Sequence, residues 1–143
     1  MKEMIGEKFK TTSIQETMEV ARAFAEKLKA GDIVLLSGDL GAGKTVFAKG
    51  FALGLGIVDN VTSPTFTIMN CYENILNHFD LYRLNSIEEL MSIGAEEELY
   101  GEKISLVEWP EIVGFEFFPK TAKIVKINKL DEETREILIG LNG

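Results

Sequence analysis

The octapeptide Gly38-Asp39-Leu40-Gly41-Ala42-Gly43-Lys44-Thr45 meets the pattern G-x-x-x-x-G-K-[ST] at every fixed position. Its glycines reach backbone angles that let successive N–H groups turn inward. Together with a following helix N-terminus, they make a nest for phosphate oxygens. The chemistry this points to is binding of a nucleotide through its phosphates. Asp39, Leu40, Gly41, Ala42, Gly43, Lys44, Thr45 and Val46 would line the cradle. Lys44 would bridge the terminal phosphates, and the Thr45 hydroxyl would ligate Mg²⁺. The competing reading is a glycine turn between strand and helix that binds nothing. It leaves a lysine and a threonine directly after the third glycine without a purpose.

A phosphate cradle hydrolyses nothing by itself; an acid must stand at the end of a strand beside it. Asp80 closes the run Ile75–Phe79, and Glu108 closes Ile104–Val107. The second run is the more uniformly apolar, as a buried central strand should be, so Glu108 is the expected Mg²⁺ acid, directly or through water. Asp80 would then orient or deprotonate the attacking water. The two roles can be exchanged, and without the glycine loop each would read as a solvated carboxylate at a strand end.

Four further features flank these groups. In Ser63-Pro64-Thr65-Phe66, Pro64 restricts Ser63 to extended geometry, and Thr65 is placed either to sense a γ-phosphate or simply to lead rigidly into a strand. His78 and Arg83 flank Asp80. Arg83 can stabilise transferred phosphate, dock a partner, or form a plain salt bridge. Trp109, between Glu108 and Pro110, is expected as an exposed partner-binding anchor rather than a core aromatic. Finally, Asn128-Lys129-Leu130-Asp131 matches the guanine-reading pattern N-K-x-D. No aspartate opens a D-x-x-G, however, and only 12 residues follow Asp131. A charged hairpin turn is the better reading.

The elements that must position these residues are legible from patterning. Lys8–Thr12 reads as a short strand. Ser13 and Glu16 form a capping box for a helix whose inner face carries Ile14, Met18, Ala21, Ala25 and Leu28, ended by Gly31. Ile33–Leu36 is a buried strand. A helix from Lys44 turns Phe47, Ala48, Phe51, Ala52 and Leu55 inward and is closed by Gly54 and Gly56. Residues 66–72 and 75–79 read as a hairpin through Glu73-Asn74. Ser86 and Glu89 form a second capping box with Ile87, Leu90 and Met91 inward. Residues 122–129 and 134–141 are strands joined near Asp131. The expected fold is α/β: a three-layer sandwich, P-loop NTPase-like, with a mixed central sheet and β-hairpins.

With 143 residues, the chain is expected to be one domain spanning 1–143. A hydrophobic share of 45% and a charged share of 27% exclude intrinsic disorder and fibrous repeats. No apolar run approaches the roughly 18 residues of a membrane helix, and the N-terminus has no apolar core of a secretory signal. One cysteine, Cys71, and one histidine, His78, exclude an intrachain disulfide and any Cys-rich or His-based metal cage. These counts favour a reducing cytoplasmic compartment. A net charge of −8 argues against unaided tRNA or DNA binding.

Gly38–Thr45, Ser63-Pro-Thr-Phe66, His78-Phe-Asp-Leu-Tyr-Arg83 and Val107-Glu-Trp-Pro110 occur in this order in one chain. That set resembles the TsaE family of bacterial P-loop ATPases over nearly the whole length. The resemblance implies a part in forming N6-threonylcarbamoyladenosine at position 37 of tRNA. It implies weak ATPase activity that is coupled to a TsaD-like transferase and its TsaB-like paralogue, with tRNA met only through that complex. It also implies ATP/ADP and Mg²⁺ as cofactors, Thr45 and Glu108 as Mg²⁺ residues, Asp80 as the second acid, and Arg135 near the nucleotide. Two other classes compete: a small-molecule kinase, for which no long Arg-rich lid segment is present, and a nucleotide-controlled binder, which needs no water-positioning acid.

Overall fold

The computed structural model describes residues 6–39, 41–59, 61, 62 and 68–143. A seven-stranded mixed sheet runs through it in the order β1-β7-β6-β2-β5-β4-β3. The strands are β1 (Lys8–Thr11), β2 (Ile33–Ser37), β3 (Met69–Tyr72), β4 (Leu76–Asp80), β5 (Ile104–Glu108), β6 (Lys123–Lys129) and β7 (Arg135–Leu141). At its centre β2 pairs in parallel with both β5 and β6, and β4 pairs in parallel with β5. Antiparallel hairpins finish the two sides, β3–β4 on one and β6–β7 on the other, with β1 added to β7. Ile33 to Leu36 are buried on both faces. That is why β2 reads as an unbroken apolar run instead of an alternating one.

Alternation along the strands sorts the core into two layers. Val34, Leu36, Leu76, Ile104, Leu106, Val125 and Ile127 face α1 (Ile14–Ala25) and α2 (Lys44–Gly54), where they meet Phe24, Phe47 and Phe51. These three rings lie 6.2–6.5 Å apart, centre to centre. Burying each is worth about 1.5–3 kcal/mol. Ile33, Leu35, Phe79 and Val107 face α3 (Ile87–Ser92) and α4 (Ala95–Leu99), meeting Leu90, Ala95 and Leu99. Helices thus cover both faces of a mixed sheet, and the α/β sandwich expected from the sequence is the fold observed.

Both capping boxes form. The Glu16 N–H donates to Ser13 Oγ (3.1 Å), and Glu16 Oε1 accepts from the Thr12 N–H (2.7 Å). The Glu89 N–H donates to Ser86 Oγ (3.3 Å), and Glu89 Oε1 accepts from the Asn85 N–H (2.9 Å). Asn128 and Lys129 end β6, and Leu130 and Asp131 enter the β6–β7 turn, in which Asp131 Oδ1 accepts from the Glu133 and Thr134 N–H groups.

Several local expectations are corrected. Ile14, Ile87 and Met91 are 67%, 40% and 44% exposed, not inward. Ile14 stands in the first turn of α1 at the rim of a groove. The six-residue α3 reaches the core through Leu90 alone. Helix α1 stops at Ala25, before Gly31, although Leu28 still packs on the core. Helix α2 ends at Gly54, as expected, but Gly54 has a second role. A Cβ there would lie 2.5 Å from the Arg22 carbonyl oxygen, and one at Gly50 would lie 2.5 Å from that of Met18. These glycines let α2 lie against the α1 backbone; Gly56, at φ +81, makes the turn.

Candidate active site

The loop between β2 and α2 is built on positive backbone angles, with φ +82 at Gly41 and +108 at Gly43. Side chains rarely adopt such angles. Gly43 precedes α2, whose first turn carries neither a side-chain cap nor an acidic residue. The N–H groups of Lys44, Thr45 and Val46 therefore open onto the loop as orphan donors with the positive end of the helix dipole. Thr45 is exposed there.

Lys44 is 6% exposed, and its Nζ has no hydrogen-bond partner among the described residues. It stands 3.5 Å from the centroid of the Trp109 ring. Burial pushes its pKa below the ordinary lysine range; the carboxylates of Glu108, Glu111, Asp80 and Asp39 pull the other way. A buried ammonium held only by an aromatic face is costly, and an anion arriving at the loop would relieve that cost. The donor chemistry of the loop thus fits phosphate.

The strand register places the acids. Asp80 pairs with Glu108, and Glu108 with Leu36, so both carboxylates end strands in one row beside the loop. By alternation they lie on the α2 face of the sheet. Glu108 is 3% exposed, and its Oε2 lies 2.6 Å from His78 Nε2. Asp80 Oδ1 accepts from the Tyr82 N–H at 3.1 Å. Burial raises the Asp80 pKa above the usual value; the Tyr82 N–H opposes this, the Glu108 charge adds to it, and His78 and Lys44 oppose it. Lys44, Thr45, Asp80 and Glu108 are therefore brought to one end of the sheet, as their positions in the sequence suggested. Two hard oxygen acids and a threonine hydroxyl are ligands suited to Mg²⁺ alongside phosphate.

Arg135 ties the loop to the β6–β7 turn. Its Nε–H donates to the Ala42 carbonyl (2.7 Å), and Nη1 donates to the carbonyls of Asp131, Glu132 and Thr134 (2.8–3.2 Å). A groove of about 380 Å³ opens beside it, lined by Ser13, Ile14, Thr17, Gly43, Val46, Glu132, Glu133 and Arg135. The Ile14–Thr17 part was not foreseen. An isoleucine directly after an N-cap serine, where the helix has no core to face, was the available signal.

Asp39 is exposed, and its carbonyl accepts from the Ala42 N–H. Leu40 and Ser63-Pro64-Thr65-Phe66 lie outside the described residues. The chain leading to Thr65 is held at Thr62, whose N–H and carbonyl both bond Tyr72 Oη (3.3 and 3.0 Å). Arg83 is exposed. Trp109 departs from its expected role as an exposed anchor. It is half-buried at φ +59, tilted at 45° against Tyr82 at 4.9 Å between ring centres, and packed against the second core layer. The left-handed step after Glu108 turns the ring back over Lys44. Ser37 Oγ–H also donates to Glu111 Oε2 behind the loop, a contact with no precedent in the sequence pattern.

Comparison with known proteins finds related chains and a related fold. Residues 11–137 match the profile of the family described as threonylcarbamoyl adenosine biosynthesis protein TsaE. A tRNA threonylcarbamoyladenosine biosynthesis protein TsaE from Treponema pallidum is 41% identical over 129 residues, covering 89% of this chain and 95% of that one. The Bacillus subtilis protein of the same name is 41% identical over 133 residues, covering 91% and 82%. The crystal structure of Bacillus subtilis YdiB superposes with a TM-score of 0.77 at 36% identity, covering 95% of this chain and 85% of that one.

Proposed function

Since the chain belongs to the TsaE family of tRNA threonylcarbamoyladenosine biosynthesis proteins, we propose that it is the ATP-hydrolysing subunit of that biosynthesis, acting with a TsaD-like transferase and a TsaB-like paralogue. The observation that carries the ATP reading is Lys44. A buried ammonium without a hydrogen-bond partner among the described residues stands at the head of a helix whose first turn carries no side-chain cap. Terminal phosphates satisfy both at once. In this reading the Gly41–Val46 backbone binds the phosphates and Lys44 bridges them. Thr45 and Glu108 would hold Mg²⁺, which when bound neutralises charge on the phosphate oxygens. Asp80, its pKa raised by burial, orients the attacking water and accepts its proton. Thr65 belongs to the same reading as a γ-phosphate sensor. The groove at Ser13, Ile14 and Val46 is large enough for a purine, and adenine is the proposed base.

The site lies at one end of the central strands β2, β5 and β4, and among the described residues no separate acceptor cavity adjoins Asp80 and Glu108. That favours hydrolysis coupled to a partner over kinase chemistry, which must exclude water. A net charge of −8 suits a subunit that leaves tRNA to its partners. Among the described residues no helix is long and apolar enough to cross a membrane, and the cytoplasm is the proposed compartment.

The test is ATP turnover and co-elution with and without the purified partner pair. The pair is expected to raise turnover and to co-elute with this chain in ATP. Lys44→Ala and Thr45→Ala should abolish turnover with unchanged far-UV circular dichroism, and Asp80→Asn should keep ADP binding while losing hydrolysis. If the isolated chain is as fast as the mixture and nothing co-elutes, the coupled-subunit reading is wrong.

A further inference from the structure

The pairing of His78 with Glu108 is not required by the sheet. Strands β4 and β5 are already joined by a continuous parallel ladder from Leu76↔Ile104 to Asp80↔Glu108. His78 faces Leu106 in that ladder, so its ring reaches diagonally along the sheet face to find Glu108. Both side chains are buried, 1% and 4% exposed. Taking such a pair out of water generally stabilises a fold no better than an apolar pair of the same size. His78 Nδ1 is buried with no partner among the described residues, so the ring spends its hydrogen bonding on Glu108 alone. The contact with the ring tethers Glu108 Oε2 and leaves Oε1 outside that pairing.

We propose that His78 is a positioning residue: its Nε2–H holds Glu108 Oε2, at 2.6 Å, and so fixes the rotamer that presents Oε1 to the divalent cation. A carboxylate only accepts, so Nε2 carries the hydrogen. Without that donor, the Glu108 side chain is free to turn, and the cation meets a ligand that must first be ordered. Groups that orient a metal ligand from behind are commonly worth 10- to 100-fold in metal affinity. This rests on the nucleotide reading above.

The experiment measures ADP affinity by calorimetry across a Mg²⁺ titration and in EDTA. His78→Leu should raise the Mg²⁺ concentration for half-effect about tenfold or more, with affinity in EDTA unchanged. His78→Gln, whose amide nitrogen falls near the Nε2 position, should recover most of the loss, and His78→Asn should not. A general loss of folding would lower both affinities together and would not be rescued by Gln. A second readout needs no substitution. This chain has a single histidine, so its ring ¹⁵N signals are unambiguous, and they should show a hydrogen on Nε2. An Nδ1–H tautomer, or a His78→Leu protein with the Mg²⁺ response of the unsubstituted chain, overturns the inference alone. Equal ADP affinity of the unsubstituted chain in Mg²⁺ and in EDTA overturns the nucleotide–metal reading itself, and this inference with it.

Discussion

The ammonium of Lys44 rests on the face of Trp109, 3.5 Å from the ring centroid. The residue expected to grip phosphate rests instead on the indole that follows Glu108. Nucleotide binding must exchange this cation–π contact, worth about 0.5–2 kcal/mol, for phosphate oxygens. Trp109→Leu removes the competing contact and keeps an apolar side chain in the second core layer. ADP affinity is expected to tighten about two- to thirtyfold, measured by calorimetry. Because Trp109 is the chain's one tryptophan, its emission in the unsubstituted protein should also change on ADP addition and stay unchanged in Lys44→Ala. Unaltered or weaker affinity in Trp109→Leu would contradict the competition.

Arg135 works through geometry as much as charge. One guanidinium joins the Ala42 carbonyl to three carbonyls of the β6–β7 turn. A lysine cannot form that fork. Hydrogen bonds from a charged donor are worth about 1.5–3 kcal/mol, so Arg135→Ala should weaken ADP binding at least about tenfold. Arg135→Lys should weaken it nearly as much. Recovery of full affinity in the lysine variant would mean that charge alone matters at this position.

Gly50 tests the helix crossing. Alanine favours a helix interior over glycine by about 1 kcal/mol, yet a Cβ at this position would meet the Met18 carbonyl oxygen at 2.5 Å and its Cα at 2.8 Å. Both contacts are backbone and cannot turn aside. Gly50→Ala is therefore expected to lower stability by about 1–3 kcal/mol, read from urea unfolding midpoints at a constant slope. A more stable variant would show that α1 and α2 separate easily.

The parts of this protein set by local chemistry were legible in the chain itself. Gly41 and Gly43 adopt the positive angles that the loop pattern demands. Ser13 and Ser86 cap their helices, Ile33–Leu36 is buried on both faces, and Asn128–Asp131 runs from the end of β6 into a hairpin turn. Each follows from backbone sterics, capping or periodicity within a few residues. Asp80 and Glu108 end neighbouring strands in register. That they stand side by side follows from strand ends whose acids the sequence already marked. What tertiary structure alone decided was the direction of side chains at contacts distant in sequence. Trp109 turned inward because a left-handed step after Glu108 returns its ring over Lys44. Ile87 and Met91 turned outward because a six-residue helix buries little beyond Leu90. Gly54, the last residue of α2, also served a helix crossing. His78 met Glu108, thirty residues away, because parallel pairing of β4 with β5 put them one diagonal apart on the same face. Periodicity says which residues share a face of one element, but only the packing of elements against each other says what that face meets.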